Sequence, residues 1–365
     1  MKRKLNLLMA ILVSLLLIIT ATTASAQSQV SKVDGFPSAE QGYSLGVSAC
    51  YAGTIGKWMV MAGGCNFPTK GNKKYYAGIY AAPINGTTLN WQLIGMLPEP
   101  AAYGVTVACG DSLLMIGGCN NEHSLATVYS IHLNADGSKA HVNKMANMPV
   151  TADNMAAAKC GDKVYVVGGN QNGKPSADVL CADIHTNGAW NVVATMPGSP
   201  RVQPVCAAYN NKVYVWGGFF ANGESSVVNT DGCCLDTKTA QWSMLKAPRS
   251  MSGEEMTLSG GIAWSDGKKI YATGGVCKDI FLDAISGRYE RVKQKDYLLQ
   301  PIEWYRFSGN LYVYDAARNQ WNKTKLAHNS LARAGAAAVP TAKGVYYIGG
   351  ELKPALRTPQ IVLIK

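Results

Sequence analysis

Histidine is scarce in this 365-residue chain: there are five copies, scattered, and none stands with cysteine at the spacing of a zinc site. Charged residues make up only 16% of the chain, and the formal net charge of +11 is spread without a dense Lys/Arg run. Dispersed charge of this kind argues against nucleic acid as a partner and is compatible with attraction of anionic ligands. Beyond the first 26 residues no segment approaches the roughly 18 apolar residues that a spanning helix needs.

Those 26 residues read as an export signal. Lys2, Arg3 and Lys4 form a basic start, Leu5 to Ile19 an apolar core, and Ala24-Ser25-Ala26 a small-residue cleavage site. No cysteine follows the cleavage site, so no membrane anchor is expected. The chain reads as an exported protein, periplasmic if its source is a Gram-negative bacterium. Ten cysteines in such a protein raise the question of disulfides. Their positions at strand ends and after Gly-Gly pairs favour buried thiols instead, and the adjacent pair Cys233-Cys234 has no explanation at this level.

What the chain has in quantity is a repeat. Apolar runs ending in Gly-Gly recur as "KWMVMAGG" (57–64), "DSLLMIGG" (111–118), "KVYVVGG" (163–169), "KVYVWGG" (212–218), "KIYATGG" (269–275) and "GVYYIGG" (344–350). A period of roughly 50 residues with this signature indicates a kelch-type β-propeller, here with six blades of four strands. Trp91, Trp190, Trp242 and Trp321 recur near the start of the fourth strand, where packing between blades explains them. The sixth unit lacks a fourth strand after "PQIVLIK", and "VSKVDGFP" (30–37) has the shape of the missing one. Pairing the two ends closes the ring and removes exposed edges, so residues 27–365 form one domain. A 35-residue insertion, 276–310, follows the fifth Gly-Gly. Its aromatic content suits a lid over the mouth, packing on the outside of a blade, or contact with a second subunit in a homodimer.

In a propeller the residues after each Gly-Gly line one face near the axis. They are Cys65-Asn66, Cys119-Asn120, Asn170, Phe219-Phe220, Val276-Cys277-Lys278 and Glu351, and Glu351 alone begins its loop with a carboxylate. Arg357 lies where it faces Glu351 across a hairpin stiffened by Pro354. By itself such a pair is a cross-strand ion pair contributing roughly 0.2–1 kcal/mol.

The segment "GELKPALRT" (350–358) resembles the Gly-Glu-x-Lys-Pro-Gly-Leu-Arg-Thr motif of the N-acetylneuraminate epimerases, the sialic acid mutarotases. "ATGGVCKDIF", "DYLLQPIEWYRF", "ARAGAAAV" and "AYGVTVACGDSLLMIGG" extend the likeness over essentially the whole chain after the signal. The resemblance implies an exported six-bladed kelch propeller acting on an anionic sugar. It assigns catalysis to Glu351 as the base for the anomeric proton and to Arg357 as a two-pronged ligand of the substrate carboxylate. No redox cofactor or metal is required. The motif's place near the C-terminus corresponds to the cyclically permuted branch of that family, and Ala355 stands where its pattern has glycine. Arg357 is expected to lower the pKa of Glu351 and keep it ionised. Lys353, with a solvated lysine as its competing reading, and Tyr103, Asn66, Asn120, Asn170 and Arg333, with ordinary loop hydrogen bonding as theirs, are candidate substrate ligands. Two other functions are open: a non-catalytic propeller binding glycans or a protein, and a copper oxidase of the galactose oxidase type. The latter finds no supporting motif among His123, His132, His141, His185 and His328.

Overall fold

The computed structural model describes residues 29–184, 188–250 and 252–365. The proposed export signal, 1–26, and His185 lie outside the described residues. Among those described, strands dominate and pair antiparallel in five sheets of four and one that carries a short fifth strand, with short ribbons beside them. In the first sheet Tyr51–Ile55, Trp58–Ala62, Gly78–Pro83 and Gln92–Met96 follow one another outward. The next four sheets repeat that order. The last is made of Ala337–Thr341, Gly344–Ile348, Ile361–Ile364 and, from the other end of the chain, Val30–Val33. Val30 pairs with Ile364 and Val33 with Ile361, so "VSKV" is the outer strand of that sheet.

Alternation along the strands puts one set of side chains into each of the two flanking interfaces. Six apolar clusters result, each built from two neighbouring sheets; one joins Met59, Met61 and Tyr80 of the first sheet to Tyr346, Ile348 and Leu363 of the sixth. Trp91, Trp190, Trp242 and Trp321 all pack at such clusters. The Cys233-Cys234 pair is explained the same way. Cys233 faces the cluster between the third and fourth sheets, and Cys234 faces the one between the fourth and fifth. All ten cysteines are free thiols, and burial pushes Cys50 and Cys233 up to about 12.

At the axis the backbone forms a cycle. Ala49, Tyr103, Asn154, Gln203, Gly260 and Gly335 each lie just before a first strand or, for Gln203, at its start, and each adopt a left-handed φ between 52° and 71°. The N–H of each donates to the carbonyl of the one before it, and Ala49 completes the cycle by donating to Gly335, at 2.7–3.1 Å throughout. The left-handed turn costs about 1–2 kcal/mol at each non-glycine position, and the cyclic hydrogen bonds offset it.

Two arginines lock neighbouring units at the Gly-Gly turns. Arg333, fully buried, donates through Nη1 to the carbonyls of Gly349 (2.8 Å) and Gln360 (2.7 Å), and through Nη2 to Gln360 Oε1 (2.6 Å). Arg201 does the same for Gly217 and Asp231. Arg333→Met should therefore strand buried carbonyls and reduce stability by about 3 kcal/mol, read as a lower urea midpoint with an unchanged slope.

The 276–310 insertion folds partly as helix, Lys278–Ile285 and Gln294–Tyr297, with a short turn at Ile302–Tyr305. Its own core is aromatic: Tyr297, Trp304 and Tyr305 meet edge to face at 5.1–5.9 Å. Phe281 docks edge-on against Phe219 at 5.0 Å, which places the insertion over the Gly-Gly face.

Candidate active site

The sixth unit positions the carboxylate. After Gly349-Gly350 the chain does not cross directly to the third strand. Glu351–Lys353 pairs with Leu356–Arg357 as a separate two-stranded ribbon, and the third strand begins only at Ile361. Glu351 and Arg357 are direct partners in that ribbon. Ala355 at its turn has φ 66°, the left-handed conformation that glycine adopts without strain, so alanine preserves the turn at a local cost. Backbone bonds in both directions between Glu351 and Ala334 fix the ribbon beside the axial cycle.

Glu351 Oε2 lies 3.0 Å from Arg357 Nη2, with the glutamate side chain 21% exposed and the arginine 4%. Arg357 is held from several sides. Its Nε donates to Ser48 Oγ at 2.9 Å and its Nη2 reaches the Tyr103 hydroxyl at 3.4 Å. The guanidinium stacks 4.9 Å from the centre of the Phe67 ring. Nη1 is buried without a partner among the described residues.

Arg357 does draw the Glu351 carboxyl down, as expected, but it is not the largest influence. Burial raises the Glu351 carboxyl above the ordinary glutamate range, and Arg357 and Lys73 only partly draw it back. The pair does not leave an unusually acidic carboxylate. Burial opposes the charge on Arg357 as well, but Glu351, Tyr103 and Cys65 outweigh it and hold the guanidinium more firmly protonated. Tyr103 stays a phenol, raised by burial and by Cys65.

Tyr103, whose hydroxyl Arg357 reaches, also lines a cavity of about 350 Å³ with Lys73, Tyr75, Asn170, Gln203 and Phe219, among others, while Glu351 and Arg357 are not in its lining. Its volume falls within the range of small-molecule sites. Tyr103, Asn154 and Gln203 line both this cavity and a second one of about 250 Å³ that runs between the first strands. Their side chains thus separate mouth from axis.

The structure brings Tyr103 and Asn170 to the site and engages the other sequence candidates elsewhere. Asn66 is buried, donates to the carbonyls of Gly42 and Gly46, and accepts from the Tyr76 hydroxyl. Asn120 closes its own turn, accepting from the N–H groups of Glu122 and His123 and donating to Glu99. Arg333 is sealed between units, where burial lowers it to about 10. Lys353, expected at the mouth as a free cation, donates to the carbonyls of Leu298 (3.1 Å) and Gln300 (2.6 Å) and so pins the insertion. These contacts have one physical cause: backbone groups with no other partner take up nearby polar side chains.

Ser48, Phe67 and Lys73 were missed. Phe67 and Lys73 lie in the ribbon Cys65–Thr69 and Asn72–Tyr75 that follows the first Gly-Gly, and "CNFPTKGNKKYY" is the signal, since it occupies in the first unit the place that "ELKPALRT" occupies in the sixth. His123 pairs with Glu99, while His132 and His328 contact Ser130 and Ser330. Among the described residues no helix is long and apolar enough to cross a membrane.

An all-β, propeller-like scaffold sets one carboxylate against one guanidinium, joined through Tyr103 to a cavity of small-molecule size. The family described as N-acetylneuraminate epimerase matches residues 145–365, and the chain belongs to it. The N-acetylneuraminate epimerase of Haemophilus influenzae (strain PittEE) is 31% identical over 235 residues, 60% of this chain and 59% of that one. Those of Yersinia pestis (strain Pestoides F) and Pasteurella multocida (strain Pm70) are each 29% identical, over 65% and 63% of this chain and 61% of their own. The match thus spans about three-fifths of those relatives' length. The solved structure of YjhT superposes with a TM-score of 0.63 at 15% identity, covering 92% of this chain and 100% of that one, a likeness of fold.

Proposed function

We propose that this protein is a sialic acid mutarotase, an isomerase that interconverts the α and β anomers of N-acetylneuraminate. The observation that carries the reading is the Glu351–Arg357 pair, 3.0 Å apart and linked to the cavity through Tyr103. Membership of the epimerase family supports it. The scaffold in this reading is a six-bladed propeller, residues 27–365, closed by the N-terminal strand; the axial hydrogen-bond cycle and the six inter-sheet clusters support that count. A closed ring can be cut between any two blades, which accounts for the motif's place near the chain end. We further propose export directed by residues 1–26, a lid role for 276–310, and self-association as a homodimer.

The chemistry needs one carboxylate able to hold and return a proton. Glu351 takes the proton from the anomeric hydroxyl as the bond between the anomeric carbon and the ring oxygen breaks. The same group then protonates the ring oxygen, leaving an open-chain ketone. After rotation about a carbon–carbon bond the steps reverse on the other face. A carboxyl raised toward neutrality suits both halves of such a shuttle. Arg357, already engaged by Glu351, Ser48 and Tyr103, orients the carboxylate and offsets its charge.

Released from a sialoside by a sialidase, the α anomer decays to β slowly, and proton NMR follows it directly. The protein at micromolar concentration should shorten that decay at least tenfold. An unchanged decay would refute the mutarotase reading and leave a non-catalytic sugar-binding propeller.

A further inference from the structure

In a 2-keto sugar acid the carboxylate is attached to the anomeric carbon itself. Whatever cation binds that carboxylate must therefore lie close to the group that handles the anomeric proton. Arg357 and Lys73 are the cations that act on the Glu351 carboxyl. Arg357 is poorly placed for a two-pronged grip on a ligand. Nε is bonded to Ser48, Nη2 to Glu351 and Tyr103, and Nη1 is sealed from solvent.

Lys73 differs on each count. It is half-buried, lines the cavity, and has no hydrogen bond or ion pair among the described residues. Its Nζ lies 4.3 Å from the centre of the Tyr103 ring and 4.8 Å from that of Tyr75. Two aromatic faces hold an ammonium in place without using its N–H donors. Two neighbouring cations are engaged: Lys353 by Leu298 and Gln300, and Lys74 by the carbonyl of Gln41. Behind Asn154 and Asn170 of the lining, the buried Asp153 accepts from both of them and from Ser124. Gln203 donates to Asn154 Oδ1 at 2.8 Å, leaving its own Oε1 for a ligand donor.

We propose that Lys73 binds the carboxylate of the sugar acid in this cavity, with Gln203 accepting from a hydroxyl or amide group, while Arg357 remains the partner of Glu351. This rests on the reading of the site as one for an acidic keto sugar and assigns its binding cation to the ribbon of the first unit. The ribbon's lysine and the last unit's glutamate then act on adjacent atoms of one carbon.

The test is calorimetric titration of wild type, Lys73→Met and Lys73→Arg with N-acetylneuraminate and with its methyl ester, alongside the anomer decay. Lys73→Met should weaken binding of the acid by about tenfold or more and leave the ester unchanged. Lys73→Arg should recover most of the loss. In kinetics the Met variant should raise KM more than it lowers kcat. Acid binding as tight as wild type in Lys73→Met overturns the proposal, as does equal weakening of acid and ester, which marks a structural role. Wild type that binds the acid without speeding the decay, with selective loss in Lys73→Met, upholds Lys73 and rejects the mutarotase. Absence of acid binding by wild type rejects both.

Discussion

Glu351→Gln should lower kcat for anomer interconversion by a factor of about 10²–10⁴, the usual contribution of a positioned acid–base group. The amide keeps the shape of the side chain and can still accept from Arg357 Nη2, so the fold should persist and near-ultraviolet circular dichroism should match wild type. Binding of N-acetylneuraminate should change much less than turnover, because the carboxylate is needed for proton transfer and not for grip. A fully active Glu351→Gln would remove the acid–base assignment while leaving the scaffold and family untouched. In wild type the acid limb of kcat/KM should lie above the ordinary glutamate value of about 4.5, since burial raises this carboxyl.

Arg357→Met tests the other half of the pair and should be costly twice over. It removes the strongest opposing influence on a carboxyl that burial already raises, so the acid limb should move to higher pH, and activity near neutrality should fall at least tenfold. Stability should drop by about 2–3 kcal/mol, less than for a fully sealed pair because Glu351 keeps some exposure and can take up a proton. The pH dependence has a definite sign. The folded chain holds the Glu351 proton to higher pH than the unfolded chain, so this group's contribution to stability is full below about 4.5 and is lost as pH rises through its raised folded value. Arg357→Met should widen that window upward. Urea midpoints measured from pH 4 to 8 would show it, and an identical pH profile for variant and wild type would contradict the coupling.

Much of the scaffold was legible from repeat and alternation. Gly-Gly after an apolar run marks each second strand because two successive left-handed residues are needed where neighbouring backbone approaches: at Gly349 a Cβ would lie 2.4 Å from the Val47 carbonyl oxygen. The missing fourth strand could be sought at the N-terminus because an unpaired edge is unfavourable, and Val30–Val33 does pair with Ile361–Ile364. Glu351 stood out as the only carboxylate opening one of these loops, and Arg357 as its hairpin partner. The polar candidates could not be resolved this way. Asn66, Asn120 and Arg333 occupy the expected loops, yet sequence position says nothing about which backbone carbonyls lie within reach of an amide or guanidinium.

Lys73 and Lys353 make the contrast sharpest. Both are lysines in ribbons that follow a Gly-Gly, and nothing in either local sequence separates them. One meets the carbonyls of Leu298 and Gln300 from an insertion some fifty residues away, and the other meets the faces of Tyr75 and Tyr103. Likewise the direction of the Glu351 shift depends on how much water the assembled mouth excludes, which outweighs the nearest cation. Periodicity and glycine placement are properties of consecutive residues and can be read along the chain, so strands, units and the carboxylate-bearing loop follow from the sequence. Desolvation and the choice among hydrogen-bond partners depend on groups brought together from distant units, so the free cation, the buried ones and the basicity of Glu351 emerge only when the chain is folded.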